Sequence, residues 1–274
     1  MVQIDAAVLY VGTSASNGRI YTFDPSGNGT FLGYAGSPVV GLTYSSSGAL
    51  YAVTNTIQGR VYSFDTSGND TVVGTVGDTV GSIAIDPSGT LYAATSSNGR
   101  IYTLGANGTF TLFGIAGVGI TGMAFGPSGT LYVGTSASNG RIYTFDASGN
   151  GILFGYAGSP VVSLAYNTSG SLYAATNTIQ GRVYSFDPSG NSTLAGTVGD
   201  TVGSLAIDDS GTLYAGTSSN GRIYSLGTNG NFTLFGNAGV GITGMAFSIP
   251  EPSTFALLGI GGFALIIARR KYIS

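Results

Sequence analysis

The chain has 274 residues, of which 47 are glycine and only 8% are charged, and its net charge is −3. So little charge beside 43% apolar residues excludes a solvated disordered chain, and so much glycine points to an all-β protein with many tight turns. Histidine, cysteine and tryptophan are absent, which removes the commonest general base and zinc ligand and all thiolate chemistry.

The first strand-like segment, Val2-Gln3-Ile4-Asp5, stands alone, and from Leu9 onward a unit of 40 or 41 residues repeats six times. Its copies start near residues 9, 50, 91, 131, 172 and 213, each with the dipeptide Leu-Tyr. A Gly-Arg-Ile/Val-Tyr segment follows, then a Ser-Gly or Asn-Gly turn, then an apolar stretch. In the second unit the strands are expected at 50–54, 60–65, 71–75 and 79–86, where β-branched and aromatic residues alternate with polar ones. The pairs Asn17-Gly18, Asn98-Gly99, Asn139-Gly140 and Asn220-Gly221 predict hairpin turns with positive φ at both central residues. Four short strands in about 40 residues are the mark of a β-propeller blade. A parallel β-helix has shorter coils and lacks hairpin turns.

A second period of 122 residues overlies the first. Residues 9–24 and 131–146 are identical, and 50–65 differs from 172–187 only at Val53 against Ala175. Three units were duplicated together. The repeat resembles NHL-type six-bladed propellers, and that resemblance makes the segment of the type Val39–Ser46 the innermost strand of a blade. The fold expected is therefore all-β, a six-bladed propeller over residues 1–248. Its last inner strand, 241–248, should close the ring against residues 9–14, with Val2–Asp5 as competitor or as the remnant of a lost blade.

Past Phe247 the composition changes. Residues 249–274 hold Pro250-Glu251-Pro252, an apolar run from Thr254 to Ala268, and the cluster Arg269-Arg270-Lys271. The run is near the lower limit for crossing a ~30 Å hydrocarbon core, and the basic cluster places the C-terminus in the cytoplasm. This tail is similar to the PEP-CTERM sorting signal, which implies a short transmembrane helix at about 254–268. It also implies export across the inner membrane of a bacterial envelope and processing by an exosortase. The opening MVQIDAAVLY lacks the basic start and apolar core of a signal peptide; the expectation is that the given start is internal or truncated.

Before the tail, eleven aspartates outweigh the six repeat arginines, Arg19, Arg60, Arg100, Arg141, Arg182 and Arg222, which argues against nucleic acid. A ring of cations for an anionic ligand is one reading of these arginines. The preferred one is structural, each pairing with an aspartate such as Asp24, Asp65, Asp146 or Asp187 of a neighbouring blade. The Asp-Pro-Ser-Gly segments read as turns rather than calcium sites, and the repeated tyrosines (Tyr10, Tyr21, Tyr51, Tyr62 and their counterparts) as packing between blades. No histidine exists to activate a serine. The central glutamate of calcium-dependent lactonase-type propellers has no counterpart, since the only glutamate is Glu251. No catalytic residue, cofactor or metal is expected. The function expected is a non-enzymatic binding or structural module of the envelope or an exopolysaccharide biofilm matrix, with polysaccharide or protein as partner. The alternative is a propeller enzyme whose site is not visible. The candidate ligand face comprises Asn55, Gln58, Asn177, Gln180, Tyr34 and Tyr156, in neutral loops where Asp78 and Asp200 are the only charges expected.

Overall fold

The computed structural model describes residues 7–249. The Val2–Asp5 segment, the sorting residues Pro250, Glu251, Pro252, Arg269, Arg270 and Lys271, and the expected membrane helix lie outside them. Every described element is a strand, and no described helix is long and apolar enough to cross a membrane.

The first unit forms β1 (Leu9–Thr13), β2 (Arg19–Phe23) and β3 (Gly29–Tyr34). Next come β4 (Val39–Tyr44), β5 (Leu50–Thr54), β6 (Arg60–Phe64) and β7 (Asp70–Thr75), then β8 (Val80–Ile85), β9 (Leu91–Thr95), β10 (Arg100–Leu104) and β11 (Phe110–Ile115). The second half repeats this with β12 (Ile120–Phe125), β13 (Leu131–Thr135), β14 (Arg141–Phe145) and β15 (Gly151–Tyr156), followed by β16 (Val161–Tyr166), β17 (Leu172–Thr176), β18 (Arg182–Phe186) and β19 (Ser192–Thr197). The last are β20 (Val202–Ile207), β21 (Leu213–Thr217), β22 (Arg222–Leu226), β23 (Phe232–Asn237) and β24 (Ile242–Phe247). They pair into six four-stranded antiparallel sheets, one of them ordered β24-β1-β2-β3. This is an all-β six-bladed propeller, closed as the repeat implies.

The closing pairs run from Leu9 opposite Phe247 to Thr13 opposite Ile242. Ser248 clips the seam, donating its N–H to the Val8 carbonyl while its Oγ accepts from the Val8 N–H, both at 2.8 Å. All six inner strands carry a register shift against their neighbour, as between Val39 and Gly41 in β4. Such bulges add local twist, which lets the sheets fan around an axis.

Burial follows the pleat. In β1 Leu9, Val11 and Thr13 are buried, and Tyr10 turns to the neighbouring blade. Tyr10 stacks on Tyr44 with ring centroids 5.3 Å apart, and Tyr132 on Tyr166 at 5.1 Å. The core is thus a series of seams between blades, one joining Ile20 to Val39, Leu42 and Leu50.

The Asn-Gly loops depart from expectation. Among the described residues no non-glycine residue has positive φ; of the Asn17-Gly18 pair only Gly18 takes it, at 61°, and its N–H donates to the Ala15 carbonyl at 2.7 Å. The loop spans five residues rather than two, so the asparagine can stay on the right-handed side.

Removing β24 by ending the chain at Val240 should lower stability by roughly 3–6 kcal/mol from Ile242 and Met245 alone, because both are buried and β1 becomes an open edge. Thermal melting against a chain ending at Ile249 checks this; equal melting temperatures would refute closure. Gly18→Ala should cost at least twice as much as Gly36→Ala in urea unfolding. At Gly36 (φ 73°) a Cβ meets nothing within 4 Å, so only the backbone penalty of about 1–2 kcal/mol applies. At Gly18 it would also lie 1.9 Å from the Ser37 carbonyl oxygen.

Candidate functional site

The blade topology sorts the loops onto two faces. Loops from second to third strands (such as 14–18) and from outer strands to the next inner strand (such as 35–38) share one face. Turns from inner to second strands and from third to outer strands share the other. Five- or six-residue strands separate the faces by about 17–20 Å.

On the first face the axial channel opens into a cavity of about 380 Å³. Asn55 and Asn177 line it from opposite sides, with Ser96, Ser218, Thr121 and Thr243 between them. Asn55 is fixed by its N–H, which donates to the Pro38 carbonyl at 2.8 Å, and Asn177 likewise to Pro160. The threonines seal the ring beneath: Thr121 Oγ1 donates to the Val161 carbonyl at 2.5 Å and Thr243 Oγ1 to the Val39 carbonyl. No titratable side chain lines this mouth. Deeper in, the channel narrows to a cavity of about 60 Å³ among the inner strands.

The other expected ligand residues share the face but not the mouth. Gln58 and Gln180 accept hydrogen bonds from the Nη2 atoms of Arg60 and Arg182, at 3.2 and 3.4 Å. Tyr34 and Tyr156 end outer strands at the periphery, half exposed and paired in register with Arg19 and Arg141.

Those pairs expose a correction. Asp78 and Asp200 are not the only charges of this face, because all six repeat arginines begin their third strands here. Five of them are exposed, Arg19 being partly buried. The expected pairing of arginines with Asp24, Asp65, Asp146 or Asp187 does not form, since these aspartates lie a strand length away on the opposite face. Each closes its own turn instead. Asp24 Oδ1 accepts from the N–H groups of Ser26 and Asn28 at 2.9 Å, and its Oδ2 from Asn28 Nδ2 at 3.1 Å. These bonds from Asn28 hold the Asp24 carboxyl below its ordinary value, as Asn69 does for Asp65. Asp86, Asp208, Asp209 and Asp70 also sit on that face. Even Asp78 and Asp200 are engaged, Asp200 Oδ2 accepting from Ser219 Oγ and Asn220 Nδ2, both at 2.6 Å. Asn98 and Asn220, singled out as turn formers, therefore also tie neighbouring loops together. Among the described residues no group of three His, Cys, Asp or Glu side chains could hold a metal ion.

On the aspartate face the channel opens again, into a cavity of about 390 Å³ lined by Tyr44, Asp86, Phe125, Tyr166, Asn167 and Ile249, among others. Ile249, next in the chain to Ser248 of the closing seam, lines this mouth. A further cleft of about 540 Å³ lies off the axis by Tyr51, Val73 and Leu104. Val73 there holds the position from which Phe113, Phe154 and Phe235 pack against the equivalent tyrosines of other blades, with ring centroids 5.1–5.2 Å apart.

The fold is that of a six-bladed propeller with two opposed loop faces. Residues 248–271 match the PEP-CTERM protein-sorting motif. The chain is thus an exported exosortase substrate with a propeller body, anchored at the membrane of a bacterial cell envelope through its tail. No curated protein matches the sequence. Among solved structures, a chain of a nidogen/laminin complex is similar with a TM-score of 0.75 at 14% identity, over 89% of this chain and 98% of that one. A virginiamycin B lyase from Staphylococcus aureus gives 0.57 at 14%, over 84% and 74%, and a streptogramin B lyase 0.58 at 16%, over 87% and 76%. At these identities the likeness is one of fold alone.

Burial pushes the Tyr132 hydroxyl up to about 12, with Tyr166 adding to it, and burial with Asp208 does the same for Tyr214. A raised tyrosine stabilises the fold below its ordinary value of 10.0, and that contribution is lost as pH rises through 12. The lowered aspartates stabilise the fold above 3.8, a contribution lost as pH falls below it. The melting temperature should therefore be level between these limits, falling above pH 10 and below pH 4. Tyr132→Phe and Tyr214→Phe together should blunt the alkaline fall, as calorimetry would show.

Proposed function

We propose that the protein is a non-enzymatic binding module, displayed at the envelope surface or in an extracellular matrix, whose propeller holds a carbohydrate at the axial mouth. The mouth carries the reading: two asparagine amides face each other across a channel ringed by hydroxyls, with no acid or base among the lining residues. Amides and hydroxyls at fixed positions suit the hydroxyls of a sugar, and a site without titratable groups suits binding better than proton transfer. The absence of histidine from the whole sequence supports the same reading. Because the halves repeat after 122 residues, the mouth offers equivalent groups twice, as a repeating polymer would use them.

Two measurements check the proposal. Replacing Pro250, Glu251 and Pro252 with alanine should leave full-length protein in the inner membrane of an exosortase-bearing host supplied with a working signal peptide. Equal maturation of parent and variant would remove the sorting role. On a glycan array the folded protein should bind neutral glycans, and Asn55→Ala with Asn177→Ala should weaken binding about tenfold or more, the loss of two to three modest hydrogen bonds. A folded protein that binds no neutral glycan would leave a scaffold role in place of carbohydrate binding.

A further inference from the structure

The described charges are segregated. One face carries the six repeat arginines against Asp78 and Asp200 alone, and every other described aspartate lies on the opposite face. Asp200 already accepts from Ser219 and Asn220, and Arg222 helps hold its carboxyl low. Arg60, Arg182 and Arg141 are exposed and meet glutamine or tyrosine, not carboxylate. They lie outside the neutral mouth, on third strands of the blades.

The tail joins the body on the aspartate side. Ile249 lies at the mouth of the aspartate face, and the sorting motif begins at residue 248, the last residue of the seam. From Ile249 to the apolar run at Thr254 an extended chain spans at most about 17 Å. Before its tail is processed, the body is therefore tethered on its aspartate side, with the arginine face on the side away from the tether.

We propose that the arginine face binds a polyanionic polysaccharide, one bearing carboxylate or sulfate groups along a sugar chain. The proposal rests on the carbohydrate reading of the mouth and extends it: neutral sugar atoms meet Asn55 and Asn177 while acidic substituents reach the surrounding guanidiniums. Tyr34 and Tyr156, beside Arg19 and Arg141 in register, add aromatic faces at the rim on which sugar rings stack. Guanidinium forks match carboxylate and sulfate oxygens, and a row of such contacts on a polymer releases bound counterions.

The full chain in discs of zwitterionic lipid can be tested against polygalacturonate, dextran sulfate, neutral dextran and duplex DNA. Both acidic polysaccharides should bind, with affinity falling about 10–100-fold between 50 and 200 mM salt as counterion release requires, and dextran at least tenfold more weakly. Arg60→Gln with Arg182→Gln should lower acidic-polymer affinity about tenfold and flatten the salt dependence, leaving neutral-glycan binding as in the parent. Asp65→Asn with Asp187→Asn, on the opposite face, should leave acidic-polymer affinity within about twofold. Equal binding of dextran and polygalacturonate, or a parental salt slope in the arginine variant, would overturn the proposal without touching the neutral site. Tighter binding of DNA than of either acidic polysaccharide would overturn it in favour of nucleic acid. Arg60→Lys with Arg182→Lys should retain the salt slope, which separates charge from any folding defect.

Discussion

A ring of blades has no beginning until the two ends of its chain meet in one of them. Here they meet in a single ladder, β24 against β1, fastened by Ser248 and Val8. Every other blade takes its four strands from consecutive sequence, but this one draws its inner strand from the far end of the repeat. The seams between blades are packed on both sides only when that strand is in place. Ile242 and Met245 bury themselves against Val11 and Phe23 of the first unit and Ile223 of the last. Opening this one ladder leaves two half-covered seams and an unpaired edge at once.

The fold was legible because its determinants are periodic. Leu-Tyr, Gly-Arg and the apolar inner strand recur at fixed spacing, and the observed strands, such as Arg60–Phe64 and Val80–Ile85, fall within a residue of the expected ones. The Asn-Gly turns misled because the dipeptide was read as a two-residue loop, whereas Ala15–Gly18 makes a wider turn with one left-handed residue. The face of each charge was harder to see. Arg60 and Asp65 cap opposite ends of one short strand, so every repeat arginine faces away from the turn aspartates of the neighbouring blades as well as its own, a full strand length distant. What matters for them is which end of a strand they occupy.

That end-to-end arrangement gives the molecule a polarity its modest net charge conceals. Turn aspartates are locked by local hydrogen bonds and serve the fold where they stand. The arginines have no comparable local duty in most blades, and they share their face with the open asparagines of the mouth. The duplication of three units makes the pattern two-fold about the axis, so Arg60 and Arg182 stand opposite one another, as do Asn55 and Asn177.

The seam has a mechanical meaning as well. A load applied between a polymer on the arginine face and a tether leaving past Ile249 pulls β24 along its own length. The hydrogen bonds joining it to β1 run across that direction, so the load shears the ladder and strains its bonds together. Peeling would have broken them one by one. A chain that ended on the opposite face would pull β24 back through the ring it closes, whereas this one draws tight along the axis.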